Sequence, residues 1–530
     1  MKGAAVAAAA ATVLAAACGP DGSPGPAPSA TPTRTATPTP TKPPPLPWGP
    51  TRDEYARSAA IVAAMPVEEQ AGQVIVAQYP TVDAAAQLVD DLHLGGVIVM
   101  DENVVSPDQV RSDIAALQQV AARPYPLIVG VDQEGGTVAR VGSPATEFPT
   151  LMTLGAARDP MLARRVTRAS GEELRALGFT MVFAPVADVT TGPDDPTIGS
   201  RSASSSPAVV SEIVTGSLAG YADAGIVAVA KHFPGHGSVP ADSHQELPVQ
   251  TATLAQLRAR DFVPFRAAAD AGAPAVMVGH IDVRAVDAGT PSSLSAPVVG
   301  LLREDLVFDG LVVTDAQNMA AVAGGHGSGD AAVRSLAAGA DVVLMPLDVR
   351  AAHAEIVAAV TDGRLPAARL AEAATRGVAL TLHAAAGKRP PVPTVVGSHA
   401  AVSYDASLAG LTVVSGSCEG PLVGGAIQVR GGTEVDRTRL AAAAEAAGLS
   451  VGSGDVVRLL GGDAPGSGDV VVSLDRPYGL ADSSATTARI ALYGRTPDAF
   501  RALVDVLLGN ASGGGTLPVD VPGVDRQGCT

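Results

Sequence analysis

Eight short apolar runs, separated by segments long enough to be helices, constrain the fold of this chain more than any other feature. Nearly every position in these runs is apolar, which is typical of parallel strands covered on both faces. The segments between them, such as 160–177, 207–225 and 254–271, are rich in alanine and leucine. Eight strand–helix units over about 320 residues predict a (β/α)8 barrel. The runs are VIVAQ (74–78), GVIVM (96–100), LIVGVD (127–132), FTMVFAPVAD (179–188), IVAVAKH (226–232), AVMVGH (275–280), LVVTD (311–315) and DVVLMP (341–346).

A second, smaller domain is expected after the barrel. The segment 363–380 is predicted to be the closing helix, and KRPPVP (388–393) has the composition of a linker. Five further apolar runs alternate with two helical stretches beyond it, which predicts a smaller α/β domain built as a layered sheet. The predicted bounds are 51–387 for the barrel, 388–400 for the linker and 401–530 for the second domain.

The N-terminus is predicted to be a targeting segment. Lys2 precedes an apolar stretch, 4–17, that is too short to span a bilayer stably. This stretch ends in LAAAC at Cys18 and resembles the lipobox of bacterial lipoproteins, which implies a signal peptide over 1–18 and lipidation of Cys18. An ordinary signal peptide cleaved nearby is the alternative. The repeated Thr-Pro and Pro-Pro of 19–50 predict a disordered stalk that leans toward polyproline II.

These features predict an exported, extracytoplasmic lipoprotein of the cell membrane. The net charge of −17, from 36 basic and 53 acidic residues, and the lack of a basic run argue against a nucleic-acid partner. Apart from Cys18, the cysteines are Cys418 and Cys529. In an oxidising compartment these two can form a disulfide that ties the C-terminal tail to the second domain.

Polar residues follow five of the barrel runs. Because the active site of such a barrel lies where the strands end, these side chains are expected to converge on one rim. A single polar residue in this position can instead cap the following helix, but five on one rim favour a functional site. The residues are Asp132, Asp188, Lys231 with His232, His280 and Asp315.

The loop KHFPGHGSVPADSHQELP (231–248) is predicted to carry an acid/base group of a sugar-cleaving enzyme. It brings His232, His236 and His244 together with acids, glycines and prolines directly after an apolar run. A zinc site formed by the three histidines is an alternative, as are simple hydrogen bonds within the loop. The HEXXH pattern of many zinc hydrolases is absent. No metal ion or other cofactor is therefore predicted.

Several motifs taken together resemble glycoside hydrolase family 3, and within it the bacterial β-N-acetylglucosaminidases (β-hexosaminidases). The resemblance extends from about position 65 to the closing helix, and TLPVDVPG (516–523) is similar to the end of the family's second domain. One departure is Thr137, where family members often carry arginine. The motifs are KHFPGHG (231–237), DSH (242–244), VDQEGGTVAR (131–140), RS (201–202) and GLVVTDAQNM (310–319).

The resemblance implies roles for eight residues. Asp315 matches the nucleophile of a retaining glycosidase, although from its position alone a helix cap is equally plausible. His244 matches the general acid/base, with Asp242 orienting its imidazole. Asp132, Lys231 and His232 match positions that bind sugar hydroxyls, with Arg140 and Arg201 beside them.

The sequence therefore predicts an exported retaining β-N-acetylglucosaminidase that removes terminal GlcNAc, with peptidoglycan (muropeptide) fragments as the expected substrate. Two alternatives remain open. The same residues suit a phosphorylase, because a histidine acid lacks the negative charge that would repel phosphate. A catalytically silent lipoprotein that binds the cell wall is the third hypothesis.

Overall fold

A computed structural model of the chain describes residues 45–387, 392–524 and 528–529. The predicted signal peptide, the lipidation site at Cys18, stalk residues 19–44 and linker residues 388–391 lie outside these ranges. In the part of the chain that is described, no helix is long and apolar enough to cross a membrane. The domain bounds derived from the sequence stay predictions.

Eight parallel strands form a barrel and confirm the predicted fold class. Their order in the sheet follows the chain from β1 to β7, and β8 lies beside β1. A parallel bridge between Val313 and Val342 joins β7 to the start of β8 and closes the circle. The strands are β1 (Ile75–Ala77), β2 (Gly96–Val99), β3 (Ile128–Val131), β4 (Met181–Val182), β5 (Val227–Phe233), β6 (Ala275–Val278), β7 (Leu311–Thr314) and β8 (Val343–Leu344).

Helices connect the barrel strands and cover their outer face. The crossover helix α6 begins at Pro160 after the Asp159 carboxylate, which accepts N–H bonds from Met161 and Leu162 at 2.8 and 3.0 Å. It ends at Gly178, whose φ of 102° suits glycine. The helices are α1 (Arg52–Ala63), α2 (Val67–Gln73), α3 (Val82–Leu92), α4 (Pro107–Ala121), α5 (Leu151–Ala157), α6 (Pro160–Leu177), α7 (Pro207–Ala224), α8 (Leu254–Ala259), α9 (Phe262–Asp270), α10 (Ala296–Glu304), α11 (Ala320–Ala323), α12 (Ser328–Ala338), α13 (Val349–Thr361) and α14 (Ala367–Ala386).

The inside of the barrel is a packed apolar core. Side chains from the strands, among them Ile98, Met181 and Met277, form one cluster with Trp48. Trp48 meets Tyr55 edge to face with ring centroids 6.2 Å apart. Pro47 lies against Gly272, just before β6, so this aromatic pair closes the end of the barrel where the strands begin. The opposite end is open.

The second domain is a mixed sheet of six strands, in the order β9-β14-β13-β12-β10-β11. Only the β9–β14 pair is antiparallel. The five runs predicted to be strands are strands, and the two-residue β11 was not predicted. The strands are β9 (Thr412–Ser415), β10 (Ala426–Gly431), β11 (Ser450–Val451), β12 (Asp455–Leu460), β13 (Ser467–Ser473) and β14 (Ser484–Ala491), and the helices are α15 (Ala400–Gly410), α16 (Glu434–Ala446) and α17 (Pro497–Leu507).

Covalent and polar contacts hold the second domain in place. Cys418 and Cys529 form a disulfide, with their Cα atoms 5.3 Å apart. The Thr150 hydroxyl, at the start of α5, donates to the carbonyl of Tyr493 at 2.6 Å. Arg439 of α16 forms an ion pair with Glu147 of the barrel at 2.8 Å. The barrel and the second sheet therefore share a bonded interface.

Candidate active site

A pocket of about 990 Å³, open to solvent, lies at the end of the barrel where the strands finish. Seven of the eight residues predicted for catalysis and sugar binding line it, and Asp242 lies behind His244. The seven residues are Asp132, Arg140, Arg201, Lys231, His232, His244 and Asp315. Residues up to 183 positions apart in the chain therefore meet in one cavity, because successive parallel strands deliver their C-terminal ends to the same rim.

Glu134 is the centre of an ion-pair cluster at the pocket wall. Its carboxylate accepts two N–H bonds from the Arg201 guanidinium, at 2.8 and 2.9 Å. The Lys231 ammonium lies 2.7 Å from Glu134 and 2.5 Å from Asp132. Burial alone would raise the pKa of Glu134, but Arg201 and Lys231 hold it well below its usual range.

Glu134 is a functional residue that the sequence reasoning did not single out. It lies in a short strand, Gln133–Gly135, that pairs with Val138–Ala139 and directs the carboxylate toward Lys231. Only 5 % of its side chain is exposed. The sequence does contain a signal for it, which is a second acid two positions after Asp132 in the segment DQEGG. A carboxylate that is buried near the end of a strand needs a cation as its partner.

Asp188 joins two histidines under the pocket. This fully buried carboxylate, in the segment that follows β4, lies 2.7 Å from Nδ1 of His232, and it accepts the N–H of His236 at 2.6 Å. Burial would raise the pKa of Asp188, but the attraction of His232 and the hydrogen bonds hold it below its ordinary value. An ionised Asp188 therefore fixes His232 at the strand end, with Nε2 directed to Arg201 at 3.5 Å.

Asp315 follows β7 and lies partly buried in the pocket. Its N–H donates to the carbonyl of Val278 at 2.8 Å, and its Oδ1 accepts the N–H of Ala316 at 2.8 Å. Burial works to raise the pKa of Asp315, but nearby His232, the Ala316 N–H and Lys231 lower it below its usual value. The following helix α11 begins only at Ala320, so Asp315 is not its cap. The carboxylate is thus ionised and available to the pocket.

His280 supports the Asp315 turn from below. Burial lowers the pKa of His280, so the imidazole is neutral. In that state Nε2–H donates to the Ala316 carbonyl at 2.9 Å and Nδ1 accepts from the Ser293 hydroxyl at 2.7 Å. Ala316, whose N–H binds the Asp315 carboxylate, is therefore itself held by His280.

Asp242 and His244 pair at the outer end of the loop. The Asp242 Oδ1 atom lies 2.7 Å from Nδ1 of His244 and also accepts the His244 N–H at 3.0 Å. Burial opposes ionisation of Asp242, but these bonds and the nearby imidazole lower its pKa. The His244 side chain is 64 % exposed, and its Nε2 has no hydrogen-bond partner among the residues described. This atom is accessible from the solvent and the pocket.

The three imidazoles of the loop have three different partners. His232 contacts Asp188, His236 contacts the Ser243 hydroxyl at 2.9 Å, and His244 contacts Asp242. Within the described ranges, no group of three or more histidine, cysteine or acidic side chains has the geometry of a metal site.

Arg140 lies at the pocket rim, where its guanidinium forms an ion pair with Asp101 at 3.1 Å. Its backbone is fixed by the Gln133 amide oxygen, which accepts the Arg140 N–H at 2.8 Å. The pocket thus presents ionised carboxylates, fixed cations and one exposed histidine around an open cavity. Carboxylates that face a cavity in a barrel of this kind are characteristic of glycoside hydrolases.

Comparison with known families agrees with this class. The model of the glycosyl hydrolase family 3 N-terminal domain matches residues 66–380, which is more than half of the chain. The chain therefore belongs to glycosyl hydrolase family 3. The matched segment contains all eight barrel strands and every pocket residue described above.

Similar proteins carry related names. Beta-hexosaminidase LpqI of Mycobacterium tuberculosis is 37 % identical over 297 residues, which are 54 % of this chain and 75 % of that protein. A beta-hexosaminidase of Alkalilimnicola ehrlichii is 39 % identical over 259 residues, 48 % of this chain and 73 % of the relative. The solved family 3 beta-N-acetylglucosaminidase from Paenibacillus sp. has a TM-score of 0.79 at 31 % identity, and the match covers 87 % of this chain and 99 % of that one.

Proposed function

We propose that this protein is a retaining β-N-acetylglucosaminidase that hydrolyses terminal β-linked GlcNAc. The observation that carries the proposal is that Asp315 and His244 line one pocket, with Asp242 paired to His244. A retaining mechanism needs one group to attack the anomeric carbon and another to move a proton. The names of the relatives supply the sugar.

Asp315 is assigned as the nucleophile. Its pKa lies below the ordinary aspartate value, so the carboxylate is ionised at neutral pH. Its backbone is fixed to β6 and its side chain to the next N–H, which limits its motion. In the first step Asp315 forms an ester with the anomeric carbon as the aglycone leaves, and in the second step water breaks that ester.

His244 is assigned as the acid/base. The contact between Nδ1 and Asp242 holds the tautomer and leaves Nε2 directed away from the pair. Nε2–H protonates the departing oxygen, and Nε2 then takes a proton from the incoming water. The negative charge of Asp242 stabilises the imidazolium before the first transfer.

The sugar hydroxyls are assigned to the charged wall of the pocket. Asp132 and Lys231 contact each other at 2.5 Å, so each is already oriented when a sugar arrives. His232, Arg140 and Arg201 provide further donors on the same wall. An ionised carboxylate accepts hydroxyl hydrogens, while the cations donate to hydroxyl oxygens.

The role of His244 is tested by the dependence of rate on the leaving group. In His244→Ala, hydrolysis of chitobiose, whose leaving oxygen needs a proton, should fall by about 10²- to 10⁴-fold. Release of an activated aryl group from an aryl GlcNAc should fall far less. The matched control is His326→Ala, because His326 forms a similar contact with Asp330 at 2.8 Å outside the pocket. It should behave as wild type on both substrates.

Equal losses on both substrates would contradict the acid role of His244. The same assays in phosphate buffer test the phosphorylase hypothesis, for which GlcNAc 1-phosphate would replace GlcNAc as the product. Binding of muropeptides without release of any sugar would favour the silent wall-binding protein instead.

We also propose peptidoglycan fragments as the natural substrate and a membrane lipoprotein as the form of the protein. The substrate proposal is supported by the predicted location outside the cytoplasm, where cell-wall fragments occur. Product analysis with GlcNAc-MurNAc fragments and chitobiose side by side tests it, and faster cleavage of chitobiose would contradict it.

The anchor proposal is supported by LAAAC before Cys18 and by the proline-rich 19–50. Cys18→Ala should release the protein from the membrane fraction and abolish labelling by a radioactive fatty acid. Retention of the label in Cys18→Ala would contradict lipidation at this residue.

A further inference from the structure

The segment 195–206, which we call the Arg201 loop, lies between the pocket and the second domain. Thr197, Ile198 and Arg201 from this loop line the pocket. Arg201 makes the paired contact with Glu134, and Glu134 in turn contacts Lys231. The position of the loop therefore determines where one of the sugar-facing cations lies.

The first turn of the Arg201 loop is closed by its own aspartate. The Asp195 carboxylate accepts the N–H groups of Thr197, Ile198 and Gly199 at 3.1, 2.8 and 3.1 Å. These bonds shape the turn but do not attach it to the rest of the barrel. The Asp195 carbonyl points outward and is bound by another domain.

Arg476 of the second domain binds that carbonyl. It follows β13, and its NH1 group donates to the oxygen of Asp195 at 2.9 Å. Its NH2 group forms an ion pair with Asp463 of the same domain, and the guanidinium lies 5.8 Å from the ring centroid of Tyr478. Residues of the second domain therefore also fix the guanidinium of Arg476.

The same side chain also packs under Gly199. A Cβ atom at this position would lie 3.1 Å from Cδ of Arg476, and Gly199 has a φ of +50°. Glycine is needed here because the loop backbone passes close to the arginine in a conformation that other residues rarely adopt. The Arg201 loop and Arg476 are therefore fitted to each other, two positions away from Arg201.

The far end of the loop is attached to the second domain as well. The carbonyl of Pro518 accepts the N–H of Ser205 at 3.2 Å and the hydroxyl of Ser204. Contacts from the second domain therefore bracket Arg201 on both sides along the chain.

We propose that Arg476 is a positioning residue for sugar binding, through which the second domain holds the Arg201 loop in its binding shape. The second domain is then part of the sugar-binding machinery. Loss of the contact between Arg476 and the Asp195 carbonyl loosens the pocket. This inference rests on the proposed function only for the choice of assay substrate.

Arg439 supplies a matched control, since it also joins the two domains, through an ion pair with Glu147 where Arg476 binds the Asp195 carbonyl. The exposed fractions are similar, at 29 % and 25 % for Arg439 and Glu147 and at 24 % and 30 % for Arg476 and Asp463. Neither Arg439 nor Glu147 lines the pocket. If Arg476 served only to attach the domains, Arg476→Ala and Arg439→Ala would behave alike.

The experiment compares both variants of the full chain on an aryl GlcNAc. Arg476→Ala should lower kcat/KM by about 10- to 100-fold, mainly through a higher KM and a higher inhibition constant for free GlcNAc. Arg439→Ala should stay within about twofold of wild type, whatever the change in thermal midpoint. Arg476→Lys keeps the charge but not the planar fork of donors, so its kcat/KM should lie between those of wild type and Arg476→Ala. If Arg476→Ala does not fold, Arg476→Lys takes its place in the comparison.

Hydrogen exchange of the peptide 195–206 provides a readout that does not depend on the substrate. Exchange should be faster in Arg476→Ala than in wild type and unchanged in Arg439→Ala. Equal kinetics and equal exchange in the two variants would overturn the inference while leaving the proposed function intact. A wild-type enzyme inactive on aryl GlcNAc would contradict the proposed function, and the exchange measurement would still decide the inference.

Discussion

The Lys231 ammonium lies between two carboxylates, Asp132 and Glu134, inside the pocket wall. Burial alone would lower the pKa of Lys231, but the two negative charges raise it. The lysine therefore stays protonated and cannot act as a base. Its part in the pocket is to order the two carboxylates.

Removal of the Glu134 charge should damage both stability and sugar binding. In Glu134→Gln the buried Arg201 loses its carboxylate partner, which should lower the free energy of unfolding by about 3–5 kcal/mol. KM for an aryl GlcNAc should rise, because Arg201 and Lys231 lose their common anchor. Denaturant unfolding and steady-state kinetics measure the two effects. The control Asp223→Asn breaks the exposed pair with Arg164 and should leave the free energy of unfolding nearly unchanged, because solvent screens an exposed pair.

The Glu134 effect has a defined pH dependence. Its pKa is lowered in the folded protein, so its stabilising contribution is present above the ordinary value of 4.5 and is lost as the pH falls through the lowered folded pKa. The difference in stability between wild type and Glu134→Gln should therefore shrink in acid. A difference that does not depend on pH would contradict this electrostatic origin.

For individual residues, the sequence predicted which ones line the pocket but not how their side chains contact one another. Asp132, Lys231 and Asp315 were recognised from their places at strand ends and in motifs. Glu134 and Arg201 are 67 positions apart, and their pairing depends on the path of the loop after β4. That path is set by tertiary contacts, which local patterns do not encode.

Among the elements, the loop that carries His244 has a fixed inner half and an exposed outer half. Gly235 passes so close to Asp261 that a Cβ atom there would lie 2.7 Å from Cβ of Asp261. The carbonyl of Gly237 accepts the N–H of Thr191 at 2.9 Å. The exposed His244 lies beyond these contacts. The inner half therefore provides a floor from which the Asp242–His244 pair projects.

The floor of this loop should respond to pH through Asp261. Burial raises the pKa of Asp261 to about 6. Its ionised form is therefore disfavoured in the folded protein, and stability falls by up to about 3 kcal/mol as the pH rises from about 4 through 6. In Asp261→Asn the thermal midpoint, relative to wild type, should rise across this window. Asp270→Asn, at the exposed end of α9, is the control, and parallel pH profiles of Asp261→Asn and wild type would contradict the prediction.

The element pattern was the most predictable part of the chain. Each of the eight apolar runs contains a barrel strand, because parallel strands buried on both faces need continuous apolar residues. Strand length was less predictable: β4 and β8 are only two residues long, although their runs have ten and six residues. The ends of a strand depend on where its neighbours pair with it. The two-residue β11 lies in no apolar run, so the sequence pattern did not indicate it.

For the molecule as a whole, the disulfide links the C-terminal tail to the second domain across 111 positions. Cys529→Ser should lower the free energy of unfolding of this domain by about 2–4 kcal/mol, because the unfolded chain regains the freedom that the link removes. Denaturant unfolding of the wild type with and without a reducing agent measures this. The reductant should have no effect on Cys529→Ser, and a wild type insensitive to it would contradict the prediction.

The interface between the domains was outside the reach of sequence reasoning. The prediction of a barrel followed by a layered α/β domain is confirmed, but no motif marked Arg476 or its contact with the Asp195 carbonyl. A side chain that binds a backbone oxygen of another domain leaves no residue pattern on the partner. Only the glycine at 199, which the close approach requires, is visible in the sequence.

A sugar is expected to become attached to Asp315 during turnover. A GlcNAc derivative with fluorine on the ring and fluoride as the leaving group slows the second step, so the glycosyl-enzyme accumulates. Peptide mass spectrometry should then find one sugar on the peptide that contains Asp315, and none on Asp315→Asn. Attachment to another residue, or turnover with inversion of the anomeric centre and no attachment at all, would contradict the account.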